Sequence, residues 1–400
     1  MMGVRRVLMF CPQFRPIVGG AERQAEKLSR ALVRRGIEVK VVTPMLTPNV
    51  VDCEECDGLR IYRFPLFDLC RRFPGIRNVG PVNLLLIRSQ VFAAMSKHLG
   101  GVDLVHLHIA APLTAFAMQA ARSVRVPTIC KVATAGDKTD LGELSQIGFG
   151  GGILRRSMVR HLDRWIATTE AVREALLQWN VSGDRIVCIP NGVDIVPAEA
   201  QKKIPIVARR FLYLGRISLN SQRDMVTLLD SFDRLCEKYP DAELALVGDG
   251  DLFQKTAVLV RGARHGSRIK MPGVRAPDDW LKWADCFVLP SVKEGLSNAL
   301  LEAMAHGIPC IANDIPANRE VLDDGAAGML VPVGNVEALA DAMCMLATVP
   351  NAAAEFGRSG NSRVREAYSI ESVADRYSHL YEELLKGYEF CGDNHNGIDG

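Results

Sequence analysis

Two glutamates eight positions apart are the residues whose type and spacing best fit a chemical role. Glu294 follows an apolar run and precedes a Gly-Leu-Ser-Asn turn, and Glu302 lies on the helix that follows this turn. A turn that leads into a helix offers backbone N–H groups and the positive end of the helix dipole, which favour an anion such as phosphate. One carboxylate can reach a sugar hydroxyl; the other, expected about two turns along the helix, can reach a ribose. The pattern indicates a nucleotide-sugar site.

Glycines and an arginine follow three other strand-like runs. The pair at 19–20 lies between the first run and the first helix, where glycine lets backbone approach a phosphate closely. The sequence LGR at 214–216 ends another run, and an arginine there can bind a diphosphate through two N–H groups. VGDG at 247–250 ends a third. The glycines are equally typical of ordinary turns, and the absence of G-x-G-x-x-G argues against a dinucleotide-binding first domain.

Two histidines lie near the end of one strand-like run. We expect His106 and His108 to point to opposite faces of the sheet, so that they do not share a metal ion. His108, nearer the carboxyl end, is the one expected to reach a ligand. A lone buried histidine is more often a core residue than a functional one, so this pattern alone leaves both interpretations open.

Apolar runs and helical patterns alternate along the chain, which predicts parallel sheets covered on both faces. The expected strands are 6–11, 37–43, 103–108, 127–132, 164–168, 185–189, 210–214, 243–247, 268–271, 286–289 and 309–312. A polar stretch at 194–204 predicts a linker. We therefore predict an α/β protein with two doubly wound domains and a cleft between them: an acceptor-side domain at 1–197 and a donor domain at 198–368. A helix at 369–387 is expected to pack back on the first domain, before a disordered tail at 388–400. The glycine-rich segment 134–152 is expected to form a loop.

Composition supports two domains, because 400 residues exceed the usual size of one. Residues 1–200 hold 26 Lys/Arg and 18 Asp/Glu, a net charge of +8, and the remainder holds 22 and 28, a net charge of −6. The basic first half, with basic pairs at 71–72, 155–156 and 160–161, suggests an anionic partner such as a membrane surface or a phosphate-bearing acceptor. Ordinary variation of surface charge explains it equally well.

The cysteines and the lengths of the apolar runs indicate in which cellular compartment we expect the protein. Most of the eleven cysteines lie in apolar runs, as reduced cytosolic cysteines do. Cys53 and Cys56 form one C-x-x-C without a second pair, so we expect a loop rather than a zinc site. We expect no signal peptide, and no window of the sequence reaches about 20 consecutive apolar residues. We expect a cytoplasmic protein, with peripheral contact on the cytoplasmic membrane face left open.

The motifs together resemble one family. GGAE at 19–22, HLH at 106–108, IPNGVD at 189–194, LGR at 214–216, VGDGD at 247–251, ADCFVLPS at 284–291 and EGLSNALLE at 294–302 occur in the order of the large retaining glycosyltransferase family 4. The resemblance covers residues 5–385. It implies a GT-B fold, with two Rossmann-like domains facing a central cleft. It also implies transfer of a hexose from a nucleotide diphosphate, which we expect to be UDP, to a hydroxyl of a saccharide or lipid-linked saccharide in polysaccharide or glycan biosynthesis.

The resemblance assigns roles by position. Glu294 is similar to the glutamate that binds the donor sugar, Glu302 to the one that binds the ribose, and Arg216 to the arginine that neutralises the diphosphate. The implied catalytic residues are Glu294, His108 and Arg216; the implied donor-binding residues are Gly19, Gly20, Arg216, Arg223, Gly248, Arg275, Glu294, Gly295, Leu296, Ser297 and Glu302. Neither a metal nor another cofactor is implied, because Arg216, helix N-termini and backbone N–H groups can stabilise the leaving diphosphate. No nucleic acid is expected as a partner.

One departure from the family pattern concerns that diphosphate. The family usually places a lysine five residues after the arginine, and this chain has Ser221 there. Arg223 can replace the lysine, although its geometry differs. If nothing replaces it, the lost charge costs on the order of a few kcal/mol of transition-state stabilisation.

Two other classes of function fit the same residues. A GT-B sugar-nucleotide epimerase needs no separate acceptor, and free epimer released from donor alone identifies it. A non-catalytic member that only binds nucleotide-sugars is suggested by Ser221. Tight binding without hydrolysis or transfer identifies that class.

Overall fold

The computed structural model describes residues 4–17, 19–48, 50–72, 80–134, 140–148, 150–201, 203, 205–218 and 223–393. The chain forms two compact units. The first unit comprises Met1–Gly192 with Ile370–Gly400, and the second unit comprises Val193–Ser369. The division thus falls at 192/193 rather than at the expected 197/198.

The first unit is built on an eight-stranded sheet. Its strands are β1 (Arg6–Phe10), β2 (Glu38–Met45), β3 (Cys53–Cys56), β4 (Leu59–Pro65), β5 (Leu104–His108), β6 (Thr128–Val132), β7 (Arg164–Ala167) and β8 (Ile186–Cys188), in the order β3-β4-β2-β1-β5-β6-β7-β8. Among the strand pairs of the described residues, β3–β4 alone is antiparallel. The six strands expected here are present within one or two residues. The hairpin β3–β4 was not predicted, because CEEC lacks an apolar run and β4 carries Arg60 and Arg63.

Helices cover both faces of this sheet. They are α1 (Gly20–Arg34), α2 (Leu69–Arg72), α3 (Gly80–His98), α4 (Pro112–Ser123), α5 (Asp140–Gln146), α6 (Gly151–His161) and α7 (Glu170–Gln178). One core lies under α3 to α7, and α1 packs on the opposite face. The prediction of a loop at 134–152 is wrong for the residues that form α5 and the start of α6. In α5, Leu141 and Leu144 bury one face of the helix. Residues 135–139 and 149 lie outside the described part.

The second unit has an all-parallel six-stranded sheet. Its strands are β9 (Arg210–Leu214), β10 (Glu243–Val247), β11 (Ile269–Gly273), β12 (Cys286–Leu289), β13 (Cys310–Asn313) and β14 (Met329–Val331), in the order β11-β10-β9-β12-β13-β14. Its helices are α8 (Met225–Lys238), α9 (Phe253–Gly262), α10 (Pro277–Trp283), α11 (Asn298–Ala305), α12 (Pro316–Val321), α13 (Val336–Thr348) and α14 (Ala352–Ala367). The core under α8, α9 and α13 lies on one face, and that under α10, α11 and α12 on the other. All five strands expected here are present, and β14 is additional.

A last helix, α15 (Ile370–Asp393), belongs to the first unit and packs on the α1 face. Its buried Tyr377 and Tyr381 lie beside the His106 ring. The disordered tail expected at 388–400 is wrong for 388–393, which continue the helix through Gly387 at a cost of about 1 kcal/mol for that glycine. Residues 394–400 lie outside the described part. Among the described helices, none is long and apolar enough to span a bilayer.

Aspartates that precede strands, one of them the buried Asp285, hold neighbouring strands in register. Asp285 accepts hydrogen bonds from the backbone N–H groups of Arg209 at 3.1 Å and Arg210 at 2.9 Å, and from the Arg210 guanidinium at 3.0 Å. Asp103 and Asp163 accept backbone N–H groups in the first unit in the same way. These carboxylates fix the start of the strands whose other ends carry the candidate site.

Replacing Asp285 with alanine is expected to lower the free energy of unfolding by about 3 kcal/mol, because buried donors lose a charged acceptor. Urea unfolding measures this loss. Asp241→Ala is the matched control: Asp241 also binds Arg209, at 3.0 Å, but its side chain is 69% exposed. The control should lose less than about 1 kcal/mol. Equal losses in the two variants would contradict the assignment.

Candidate functional site

The strand order reverses at one point in each sheet, where open parallel sheets bind ligands. In the second unit β9 and β12 are neighbours, although β10 and β11 lie between them in sequence. The segment after β9 carries Arg216 and Arg223, and the loop after β12 carries Glu294. In the first unit β1 and β5 are neighbours in the same way, and they are followed by Gly19 and Gly20 and by His108. The expected site residues therefore gather at two carboxyl edges.

Glycines bring three loops of the second unit together at the backbone level. Gly248, after β10, has φ +144°, and a Cβ atom there would lie 1.9 Å from the carbonyl oxygen of Gly215. Gly250 has φ +156°, and its Cβ would lie 2.3 Å from the oxygen of Ile217. The Gly248 N–H donates at 3.0 Å to the oxygen of Gly273, the last residue of β11. Only glycine allows this packing, which brings the segments that follow β9 and β10 and the end of β11 together next to Arg216.

Replacing Gly248 with alanine is expected to destabilise the second unit by at least about 2 kcal/mol and to weaken nucleotide binding, because the new methyl group meets backbone that cannot rotate away. Thermal unfolding and nucleotide titration measure both effects. Gly262→Ala, at the end of α9 with no atom within 4 Å, should be neutral or slightly stabilising. A Gly248→Ala protein with unchanged melting and binding would rule out the close approach.

An ion pair joins two of the expected donor-binding residues. A guanidinium nitrogen of Arg223 lies 2.5 Å from Glu294 Oε2, and the two side chains are 12% and 17% exposed. The hydroxyl of Ser291 donates to the same oxygen at 3.3 Å. Arg223 and Ser291 also pair as an antiparallel bridge, and the Asp224 N–H donates to the Pro290 oxygen at 2.9 Å. The segment before α8 is thus fastened to the loop after β12. Ser221 lies outside the described residues.

Tyr213, which the sequence analysis did not single out, contacts the Arg223 side of this pair. Tyr213 is the second-last residue of β9, and its ring is buried. Its hydroxyl donates to the Arg216 carbonyl oxygen at 2.8 Å. Burial raises its pKa to about 12, against the opposing charge of Arg223. The sequence signal for it is an aromatic residue near a strand end, whose polar tip needs a partner.

The other expected residues of the second unit differ in placement. Gly295 and Leu296 are buried, and the Ser297 side chain caps α11 by accepting the Leu300 N–H at 3.3 Å. Because α11 begins at Asn298, Glu302 lies about one turn along it, and the expected two turns are wrong. Arg216 and Arg275 are exposed. A guanidinium nitrogen of Arg275 donates to the Val274 oxygen at 2.9 Å, after the outermost strand β11.

The expected divergence of the two histidines is wrong. Their rings stack with centroids 4.5 Å apart and planes 15° apart. The reason is the period of a strand: side chains alternate, so His106 and His108 share one face.

Both imidazoles are buried against other side chains. His108 is 4% exposed, with Nε2 3.2 Å from the Met9 sulfur, and His106 Nδ1 lies 2.7 Å from the Tyr381 hydroxyl. Burial, and then the charge of Lys131, lowers the pKa of His108 to about 3. Burial lowers the pKa of His106 well below its usual value as well. Both rings are neutral at pH 7, so His108 is suited to hydrogen bonding rather than to donating a proton as an imidazolium.

The cysteine pair lies in a strand rather than in the expected loop. Cys53 and Cys56 begin and end β3, and side chains three apart on a strand point to opposite faces. In the part of the chain that the structure describes, no group of three or more His, Cys, Asp or Glu side chains could hold a metal ion.

Comparisons with known proteins agree with this architecture. The family model described as "Glycosyl transferase 4-like domain" matches residues 19–192, and that described as "Glycosyl transferases group 1" matches residues 208–348. A phosphatidyl-myo-inositol mannosyltransferase of Mycobacterium leprae is 29% identical over 389 residues, which are 95% of this chain and 97% of that protein. A GDP-mannose-dependent alpha-mannosyltransferase of Mycobacterium tuberculosis is 27% identical over 356 residues, 84% and 86% of the two chains.

Solved structures share the fold. A sucrose-phosphate synthase from Thermosynechococcus elongatus matches with a TM-score of 0.75 at 21% identity, over 96% of this chain and 100% of that one. The Anabaena protein HepE in complex with UDP matches with a TM-score of 0.70 at 16% identity, over 94% and 99%. The matched models cover most of both units, and the expectation of family and fold is confirmed. This chain is a GT-B glycosyltransferase that belongs to family 4, the glycosyl transferases group 1.

Proposed function

We propose that this glycosyltransferase transfers mannose, with retention of configuration, from a nucleotide diphosphate mannose to a hydroxyl of a lipid-linked or saccharide acceptor. The observation that carries the proposal is the Arg223–Glu294 pair at the point where the strand order reverses. A donor substrate offers a separate partner to each member of the pair: a sugar hydroxyl to the carboxylate and a phosphate to the guanidinium.

The sugar and the nucleotide are inferred from relatives. Two that cover most of both chains are named mannosyltransferases, and one of these is named for GDP-mannose. The neighbours bound to UDP are 16% identical and support the fold alone. We therefore favour GDP over the UDP expected from the sequence and keep UDP-sugars as competitors in the test.

Stabilisation of the leaving diphosphate is the chemistry that the second unit can supply. Negative charge grows on the diphosphate as the sugar departs, so groups that bind it more tightly in the transition state raise the rate. We assign this role to Arg216, Arg223 and the backbone N–H groups at 295–297. We propose that these groups suffice without a metal ion, and full turnover in excess chelator tests that part.

Peripheral membrane contact is a second part of the proposal. Helix α6 exposes Ile153, Arg156 and Arg160, and α3 exposes Leu85. Apolar side chains beside basic ones suit an anionic lipid surface. The guanidinium of Arg155 instead lies 4.6 Å over the Trp179 ring, so it is engaged within the protein. The side chain of Arg71 lies outside the described part. Sedimentation with anionic but not neutral vesicles tests the contact.

A nucleotide-sugar panel tests the donor. GDP-mannose should raise the melting temperature more than UDP-glucose, UDP-N-acetylglucosamine or ADP-glucose, because a ligand of the folded state stabilises it. Labelled GDP-mannose should then give transfer to a lipid-linked acceptor. Glu294→Gln should reduce this transfer at least about 100-fold. Glu337→Gln, at an exposed carboxylate of the same unit, should leave it unchanged.

The same panel separates the alternatives. Tight binding without hydrolysis or transfer would indicate a non-catalytic binding protein, and release of an epimer from donor alone would indicate an epimerase. Stabilisation by a UDP-sugar alone would refute the GDP assignment while leaving the transfer reaction in place.

A further inference from the structure

A buried lysine at the carboxyl edge of the first unit has no role in the chemistry described so far. Lys131 lies in β6 directly beside His108 of β5 in the strand register and is 5% exposed. Among the described residues, its ammonium group has no hydrogen-bond or ion-pair partner. Burial alone lowers its pKa to about 7. A buried amine without a counter-charge is costly, so it requires an explanation.

The face on which Lys131 lies follows from its neighbours. Cys130 and Val132 pack in the core under α3 to α7, whereas Ile129 packs in the core with α1 and α15. Because strand side chains alternate, Lys131 shares the α1 face with His108.

A hydroxyl group lies at the same edge. Thr168 follows Ile166 of β7 by two residues; Ile166 is beside Lys131 in the strand register and packs in the α1 core. Thr168 is 1% exposed, and its hydroxyl has no hydrogen-bond partner within the described ranges. Native proteins leave few buried polar atoms unpaired, and such an atom beside a cation marks a place for a ligand.

The N-terminus of α1 begins at this edge too. Helix α1 is 15 residues long, and its N-cap, Gly19, offers no side-chain cap. It follows β1, which lies between β2 and β5. Its first-turn N–H groups and dipole favour an anion, as does the ammonium of Lys131, although the first turn also carries the carboxylate of Glu22.

We propose that Lys131, together with the N-terminus of α1 and the hydroxyl of Thr168, forms a phosphate-binding subsite in the first unit. The proposal rests on the proposed function for the source of the phosphate, which is either the acceptor or the donor diphosphate. The family roles given above include neither Lys131 nor Thr168.

Binding is tested without turnover, so the result does not depend on the transfer reaction. Wild-type protein and Lys131→Met are titrated calorimetrically with inorganic pyrophosphate, GDP and glycerol 3-phosphate at constant ionic strength. We expect Lys131→Met to weaken at least one of these ligands 10-fold or more. Lys97→Met, which removes an exposed lysine of α3 in the same unit, should bind all three as wild type does. Lys131→Arg should recover part of the affinity.

The ligand that is weakened identifies the source of the phosphate. Weaker GDP and pyrophosphate with unchanged glycerol 3-phosphate assigns the subsite to the donor diphosphate. Weaker glycerol 3-phosphate, with a raised KM for a phosphate-bearing acceptor and an unchanged KM for donor, assigns it to the acceptor. Unchanged affinities for all three ligands in Lys131→Met overturn the proposal. Failure of mannosyl transfer with intact Lys131-dependent phosphate binding would overturn the proposed function alone.

Discussion

Arg223→Met is expected to lower kcat about 100-fold or more, because it removes the cation that we propose stabilises the leaving diphosphate and leaves Glu294 without its ion-pair partner. Arg223→Lys should retain part of the rate, since it keeps the charge and loses the forked geometry. The measurement is the initial rate of transfer over a range of donor concentrations.

A double-mutant cycle shows whether the pair acts as a unit. If it does, Arg223→Met combined with Glu294→Gln should be little worse than the slower single variant. Arg234 and Glu337 form the matched control, an exposed pair 3.2 Å apart on α8 and α13. Arg234→Met and Glu337→Gln should leave kcat unchanged. Wild-type turnover by Arg223→Met would place the second cation elsewhere in the chain.

Lys131→Met is expected to change how stability depends on pH. The pKa of Lys131 falls from 10.5 in the unfolded chain to about 7 in the folded protein. The unfolded chain therefore binds the proton more tightly, and the contribution of the neutral amine is full above pH 10.5 and is lost as the pH falls through 7. At about 1.4 kcal/mol per pH unit, the full loss is on the order of 5 kcal/mol. Lys131→Met has no titrating amine and does not suffer this loss. Its free energy of unfolding should therefore rise relative to that of wild type as the pH is lowered from 10 to 7.

Urea unfolding of both proteins from pH 7 to pH 10 measures this difference. The groups that face Lys131, the imidazoles of His106 and His108, titrate below this range, and they are common to both proteins. Burial raises the pKa values of the Cys11 and Cys130 thiols and of Tyr377 and Tyr381, so these groups titrate above this range and are also common to both proteins. The difference curve therefore isolates the lysine. Lys97→Met should run parallel to wild type. A Lys131→Met curve parallel to wild type would show that the buried amine keeps its ordinary pKa.

The fold was largely predictable because buried parallel strands are apolar runs, and such runs are visible without knowledge of the partner strand. The hairpin β3–β4 escaped because its strands mix charged and apolar residues. The error on the histidines came from the strand period rather than from the pattern, since residues two apart share a face.

The candidate site was predictable in part. The motif placed Glu294 after a strand and before a helix, and this much depends on local sequence alone. The contact of Arg223 with Glu294 depends on how the segment before α8 meets the loop after β12, which no local pattern records. Lys131 was not singled out, because a lysine in TICKV is typical of a half-exposed strand. Its burial follows from packing by α1 and by α15, which lies at the far end of the chain.

The ends of the second unit meet each other. The Val193 N–H donates to the Tyr368 oxygen at 2.9 Å, and Val193 pairs with Ser369. In the first unit the corresponding ends also meet, because a Cβ atom on Gly192 would lie 2.8 Å from the Ile370 Cα. The second unit is thus an insertion that begins and ends at one point, as tolerated domain insertions do. Residues 193–369 should therefore be transplantable as a module, with Gly192 joined to Ile370 by a short linker in the protein that remains.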